Sequence, residues 1–149
     1  MVENTSTSLI SVDQYRSYCF PHIRAYAEIL KSRDRYMVLH MCGLLRDLLD
    51  DLAKLPVDAF EAFTSPTLGN TTLLDGRTHC PDTCLIGGTQ ATDWLLPTDR
   101  LIAKIEEDLD ALPHHRGIVV TSAGVMPPLC PPERIKAVCE WVKNYRPRW

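Results

Sequence analysis

The stretch Val38-Leu39-His40-Met41-Cys42-Gly43 closes an apolar run with His-x-Cys and a glycine. Side chains two apart on an extended chain point the same way, so a strand over residues 36–40 projects His40 and Cys42 together from its end. Gly43 permits a sharp turn into the segment that follows. There Leu44, Leu45, Leu48, Leu49 and Leu52 recur at helical spacing, with Arg46, Asp47, Asp50 and Asp51 on the other side. That pattern predicts a surface helix with one buried face. A strand that ends in potential ligands and turns at once into an amphipathic helix is half of a βα unit.

The same alternation extends outward in both directions. Upstream, Ser11-Val12-Asp13-Gln14 has the form of a capping box, and Pro21 suits the first turn of a second helix over residues 21–31. Downstream, residues 58–63 read as a second strand, followed by a connection over 64–78 that is long enough to suggest function. Residues 84–87 form a third strand, closed by Gly87-Gly88-Thr89. Leu101, Ile102, Ile105, Leu109 and Leu112 mark a crossover helix whose acidic face holds Glu106, Glu107, Asp108 and Asp110. A fourth strand covers 117–121, and a last helix over 132–144 turns Ile135, Val138, Cys139 and Val142 inward.

A leading helix followed by strand–helix alternation gives a parallel sheet with right-handed crossovers. An open doubly wound nucleotide fold would call for a phosphate-binding glycine pattern, and no GxGxxG or P-loop occurs. Half of an eight-stranded barrel accounts for the leading helix and for polar residues after every strand. A full barrel takes about 250 residues, whereas this chain has 149. The expected fold is therefore α/β: the C-terminal half of a TIM (β/α)8 barrel, about four parallel strands with alternating helices, as one partial domain over residues 1–149.

Composition narrows the function classes. With 45% hydrophobic and 23% charged residues the chain can bury a core. A formal charge of −3 offers no global attraction for nucleic acid or an anionic membrane. No apolar run approaches the ~20 residues of a membrane span. The polar start, residues 1–6, lacks the form of a secretory signal, so a cytoplasmic protein is expected. The six cysteines accordingly read as thiols rather than a disulfide framework, Cys19 and Cys139 as small buried hydrophobes.

With those segments in order, the chain resembles the C-terminal half of the uroporphyrinogen decarboxylase family. The resemblance rests on Leu9-Ile10-Ser11-Val12-Asp13-Gln14-Tyr15 with Phe20-Pro21, on Val38-Leu39-His40-Met41-Cys42-Gly43, and on Leu85-Ile86-Gly87-Gly88-Thr89. It continues in Ser122-Ala123-Gly124 followed by Pro132-Glu133-Arg134-Ile135. The family includes the decarboxylase of haem synthesis and zinc methyltransferases that move methyl groups between a corrinoid protein and a thiol. In the methyltransferase branch, His-x-Cys after one strand and a cysteine after the last strand hold zinc. His40 and Cys42 match the first pair, but Ala123 stands where the later cysteine is expected. The decarboxylase branch has a histidine in that last turn, which this chain lacks, and does not carry His-x-Cys.

The resemblance thus implies zinc-dependent methyl transfer between a corrinoid protein and a small thiol. A porphyrinogen decarboxylase is one alternative; an inactive fragment, or one chain of a split barrel completed by an N-terminal half or a second copy, is the other. Ligands in such barrels gather at the C-terminal ends of strands, which makes Cys130 the candidate third ligand beside His40 and Cys42. Cys80 and Cys84, with His79 beside them, fall at the opposite end and are a weak separate pair. Glu61 on the second strand, a carboxylate among apolar residues that needs a partner such as zinc or a substrate cation, is the other candidate for the additional donor. Glu61 and Ser122 are the catalytic candidates, and Gln90 and Asp93 are expected to position substrate. Trp94 reads as a core or loop anchor.

Overall fold

The computed structural model describes residues 6–149; residues 1–5, the start of the polar segment read above as no export signal, lie outside the described residues. The chain begins with α1 (Val12–Gln14), a π turn (Tyr15–Cys19) and α2 (Phe20–Lys31). Strand β1 (Val38–His40) leads through a 3-10 turn (Arg46–Leu48) into α3 (Leu49–Leu52). Then come β2 (Ala59–Phe63), α4 (Leu73–His79), β3 (Cys84–Gly88), a 3-10 turn (Ala91–Leu95), α5 (Thr98–Asp110), β4 (Ile118–Thr121) and α6 (Pro132–Asn144).

The four strands form one parallel sheet in the order β1-β2-β3-β4. Sequential neighbours with no reversal of order curl towards a barrel, whereas a doubly wound sheet would double back. Leu39, Phe60 and Leu85 lie side by side in register, all at most 1% exposed, and pack under the helices. The adjacent row, His40–Glu61–Ile86–Val119, lies on the opposite face. Val119 there is 47% exposed, and Val38, two residues before His40, is 41% exposed. That open face corresponds to the lining of a closed barrel.

Local details depart from expectation for identifiable reasons. The Ser11 capping box forms, but the first two helical pieces run on through the π turn rather than breaking. Pro21 has no N–H for the preceding turn, and the widened turn absorbs its ring. The leucine-rich segment after β1 bends into a 3-10 turn and a single α-turn, since Ser6 Oγ and Asn70 Oδ1 capture the N–H groups of Leu44, Leu45 and Arg46. Its leucines still bury as the spacing requires, with Leu45, Leu48, Leu49 and Leu52 all at most 2% exposed. The 64–78 connection holds α4, capped reciprocally by Thr72 and Asp75. Cys139 and Val142 are exposed, contrary to their expected inward role. Helix α6 lies beyond β4, at the sheet's last edge, and only its Val138 is buried.

Candidate functional site

β1 and β2 pair so that His40 faces Glu61 directly, at the C-terminal edge of the sheet. The imidazole Nδ1–H donates to Glu61 Oε2. This hydrogen bond fixes the tautomer and turns the other ring nitrogen, Nε2, into the acceptor. Both side chains are partly open, 29% and 36% exposed, so the carboxylate has found its partner without being sealed off. Met41 N–H donates to the Glu61 carbonyl at 2.8 Å and extends the pairing past the end of the strand. Met41 itself is fully buried, and half-buried Cys42 follows it.

A bulge sets the position of Glu61. The β2–β3 register slips between Glu61 and Phe63, with Ala62 at φ +60°. Opposite it, Gly87 at φ +155° lets the β2 backbone approach so closely that a Cβ there would lie 2.3 Å from the Phe63 carbonyl oxygen. Bulges re-aim side chains beside sites, and this one closes the β2 end against β3 directly after Glu61.

The loops on this face are stitched together by polar side chains, buried at Ser65 and Thr89 and more open at Asn70 and Arg46, that the sequence pattern does not reveal. Asn70 joins the loop after β2 to the loop after β1, and Arg46 Nε returns a bond to the Asn70 carbonyl at 2.9 Å. Ser65 Oγ donates to the Gly88 carbonyl at 2.7 Å, and Thr89 Oγ1 donates to the Thr121 carbonyl at 2.5 Å. Trp94 Nε1 donates to Thr89 Oγ1 at 3.0 Å, consistent with the expected loop anchor. Arg134 of α6 donates to the Trp94 carbonyl at 2.8 Å. In the sequence, the Gly87-Gly88-Thr89 turn and Trp94 as a loop anchor pointed to part of this network.

Gln90 and Asp93, expected to position substrate, are buried and engaged with the chain itself. Gln90 Oε1 accepts from the N–H groups of Thr67 and Leu68, at 2.8 and 2.9 Å. Gln90 Nε2 donates to Asp93 Oδ1, while Asp93 Oδ2 accepts the Gln90 N–H. Their place is as the scaffold of the β2 and β3 loops. Ser122 Oγ donates to the Gly124 carbonyl at 2.8 Å and shapes the turn after β4, which carries Ala123 at φ +49°.

Cys130 packs in the hydrophobic core, with its thiol 3.8 Å from the Pro131 carbonyl oxygen. Among the described residues no three His, Cys, Asp or Glu side chains gather to share a metal ion. The expected set of His40, Cys42 and Cys130 is thus not brought together, because Cys130 is drawn into the apolar interior ahead of α6. Among the described residues these donors do not complete a zinc site; Glu61 holds His40 Nδ1 and leaves Nε2 open.

At the opposite end of the sheet, Arg77 reaches from α4 and donates to the carbonyls of Cys80, Pro81, Thr83 and Arg116. Burial lowers its pKa and raises those of its neighbours, pushing the Cys80 thiol up to about 11. His79 donates to Asp50 Oδ1 at 3.0 Å instead of joining the cysteines. This cluster pins the loops below the strands; inert, protonated thiols there suit no ligand role.

A sequence model described as uroporphyrinogen decarboxylase matches residues 1–145, nearly the whole chain. The chain belongs to the uroporphyrinogen decarboxylase family. Among solved structures, a methyltransferase from Methanosarcina mazei superposes with a TM-score of 0.72 over 96% of this chain, at 20% sequence identity. The chain spans 42% of that methyltransferase. No curated protein matches the sequence. Family membership and the shared fold make the sheet a partial TIM barrel, and in such barrels the loops on the C-terminal face build the active site. His40 and Glu61 stand on that face. No helix among the described residues is long and apolar enough to cross a membrane.

Proposed function

We propose that the chain is the C-terminal half of a methyltransferase-type member of the family, moving a methyl group from a corrinoid protein to a small thiol. The observation that carries this reading is the oriented His40–Glu61 pair at the C-terminal edge of the sheet. With Nδ1–H held by Glu61, His40 Nε2 is the group available to take the thiol proton, and the carboxylate stabilises the imidazolium that forms. The thiolate sulfur then bonds the methyl carbon as that carbon parts from the corrinoid, which keeps the bonding electron pair. Were zinc bound, it would ease the thiol's ionisation in place of the His40 base, with His40 Nε2 and Cys42 as two of its donors and at least one more from outside the described residues. No step above depends on it.

The test is transfer from methylcobalamin to 2-mercaptoethanol by the chain, alone and combined with the part of the Methanosarcina mazei methyltransferase that it does not match. His40→Ala should reduce the rate at least about 100-fold, the lower range for losing a general base. Glu61→Gln should reduce it about 10- to 100-fold, as for loss of a partner that orients a histidine. Zinc content measured on the same combined protein should fall in both His40→Ala and Cys42→Ser if the metal is held there. A second reading, decarboxylation of a porphyrinogen, is favoured by the description of the matching family model. Release of carbon dioxide from uroporphyrinogen, unaffected by His40→Ala, would replace the methyl-transfer reading with it.

A further inference from the structure

The loop that leaves β1 carries Cys42 and is held on both sides of it. On the strand side, the Met41 N–H donates to the Glu61 carbonyl at 2.8 Å. Met41 is fully buried, which turns its neighbours His40 and Cys42 to the other face. On the far side, the segment before α1 takes hold of Leu44 through three bonds. Ser6 Oγ accepts the Leu44 N–H at 2.8 Å, while the Thr7 N–H and the Thr7 hydroxyl both donate to the Leu44 carbonyl, at 3.0 and 3.1 Å.

Ser6 is built into this contact. It is 3% exposed. Its hydroxyl also shares a hydrogen bond with Ser8 Oγ at 2.9 Å and accepts the Ser8 N–H at 3.3 Å. Its carbonyl accepts the N–H groups of Leu9 and Ile10, which winds residues 6–10 into a compact turn ahead of the Ser11 cap. Gly43, at φ +90°, lies so close that a Cβ there would stand 2.7 Å from Ser6 Oγ. Ser6 and Leu44 are 38 residues apart in sequence, so no local preference accounts for the contact. It fixes the peptides on either side of Leu44, and with them the turn that follows Cys42. Without Ser6 Oγ, the Leu44 N–H finds an acceptor only in water, by opening that turn.

We propose that Ser6 is a positioning residue for the candidate site: with Thr7 it clasps the loop after β1 and so holds Cys42 and His40 on one face at the end of the sheet. Ser6 acts through the Gly43–Leu44 peptide and touches no reacting atom. Its chemical consequence rests on the methyl-transfer reading, in which a base misplaced by about 1 Å loses up to about 100-fold in rate. The clasp itself is testable without that reading.

The test compares Ser6→Ala with Ser11→Ala. The second variant removes a helix cap of comparable strength from the same segment, but its hydroxyl accepts from the Gln14 N–H and not from the loop. In the chain by itself, the Met41 amide should exchange about tenfold faster in Ser6→Ala, as for one lost buried acceptor, and within about twofold of the unaltered chain in Ser11→Ala. Thr7→Val, which removes only the hydroxyl's bond to Leu44, should accelerate it by a smaller factor. With the unmatched part of the Methanosarcina mazei methyltransferase added, Ser6→Ala should lower kcat for transfer from methylcobalamin to 2-mercaptoethanol about 10- to 100-fold, with KM for the thiol within about twofold. Met41 exchange that is unchanged in Ser6→Ala, or raised equally by Ser11→Ala, would overturn the clasp. Faster exchange with kcat unchanged would overturn the positioning role. Should the unaltered combination transfer no methyl group, the methyl-transfer reading fails and the positioning role with it, whereas exchange at Met41 still decides the clasp.

Discussion

Replacing Gly87 with alanine tests whether the close β2–β3 approach sets the end of β2 that carries Glu61. An added Cβ would lie 2.3 Å from the Phe63 carbonyl oxygen, 2.7 Å from its nitrogen and 2.9 Å from its carbonyl carbon. All three are backbone atoms, so no side-chain rotation relieves the contact, and the strands must part by close to an ångström. The left-handed φ of +155° adds strain of its own. Strain of about 1–3 kcal/mol and overpacking of about 1–3 kcal/mol together predict a loss near 4 kcal/mol. Gly124→Ala isolates the backbone strain: φ there is +144°, but nothing lies within 4 Å of the added Cβ. It should lose only the strain, about 2 kcal/mol. In urea unfolding followed by circular dichroism, an m-value of about 2 kcal/mol/M places the Gly87→Ala midpoint about 1 M below that of Gly124→Ala. Midpoints agreeing to within about 0.3 M would refute the claim that backbone approach at the bulge demands glycine.

Further outcomes follow from the polar clusters. Arg77→Met should destabilise the fold by about 3 kcal/mol, read as a lower thermal midpoint, because it strips the guanidinium from four carbonyls of the lower loops. Exposed Cys139 should be alkylated first by iodoacetamide at neutral pH, while buried Cys80, with its thiol pushed up to about 11, resists until the chain unfolds. For the same reason the folded state keeps a Cys80 proton that the unfolded chain begins to release near 9.0; stability should be full below that pH and fall as pH rises towards about 11. Urea midpoints measured across that window, compared with Cys80→Ala, check the slope. Asn70→Ala should cost about 1–3 kcal/mol by leaving the N–H groups of Leu45 and Arg46 without their acceptor, seen in the same urea experiment.

Periodicity alone determined much of this protein. Alternating apolar runs and helical stripes set the order of elements, the parallel sheet and the last helix over Pro132–Asn144, and chain length with the missing phosphate-binding glycines added the partial barrel. These follow from side-chain period, which is local and repeats along the chain. The position of His40 at a strand end was legible for the same reason, as was the need of Glu61 for a partner. That the partner is His40 required the β1–β2 register, which depends on how two distant segments pack. The tertiary structure also took Gln90, Asp93 and Ser122 for the loops and drew Cys130 into the core. A polar side chain reads the same in sequence whether it faces a ligand or a neighbouring backbone amide. Burial and hydrogen-bond geometry decide between the two, and both are fixed only when the loops close over the sheet.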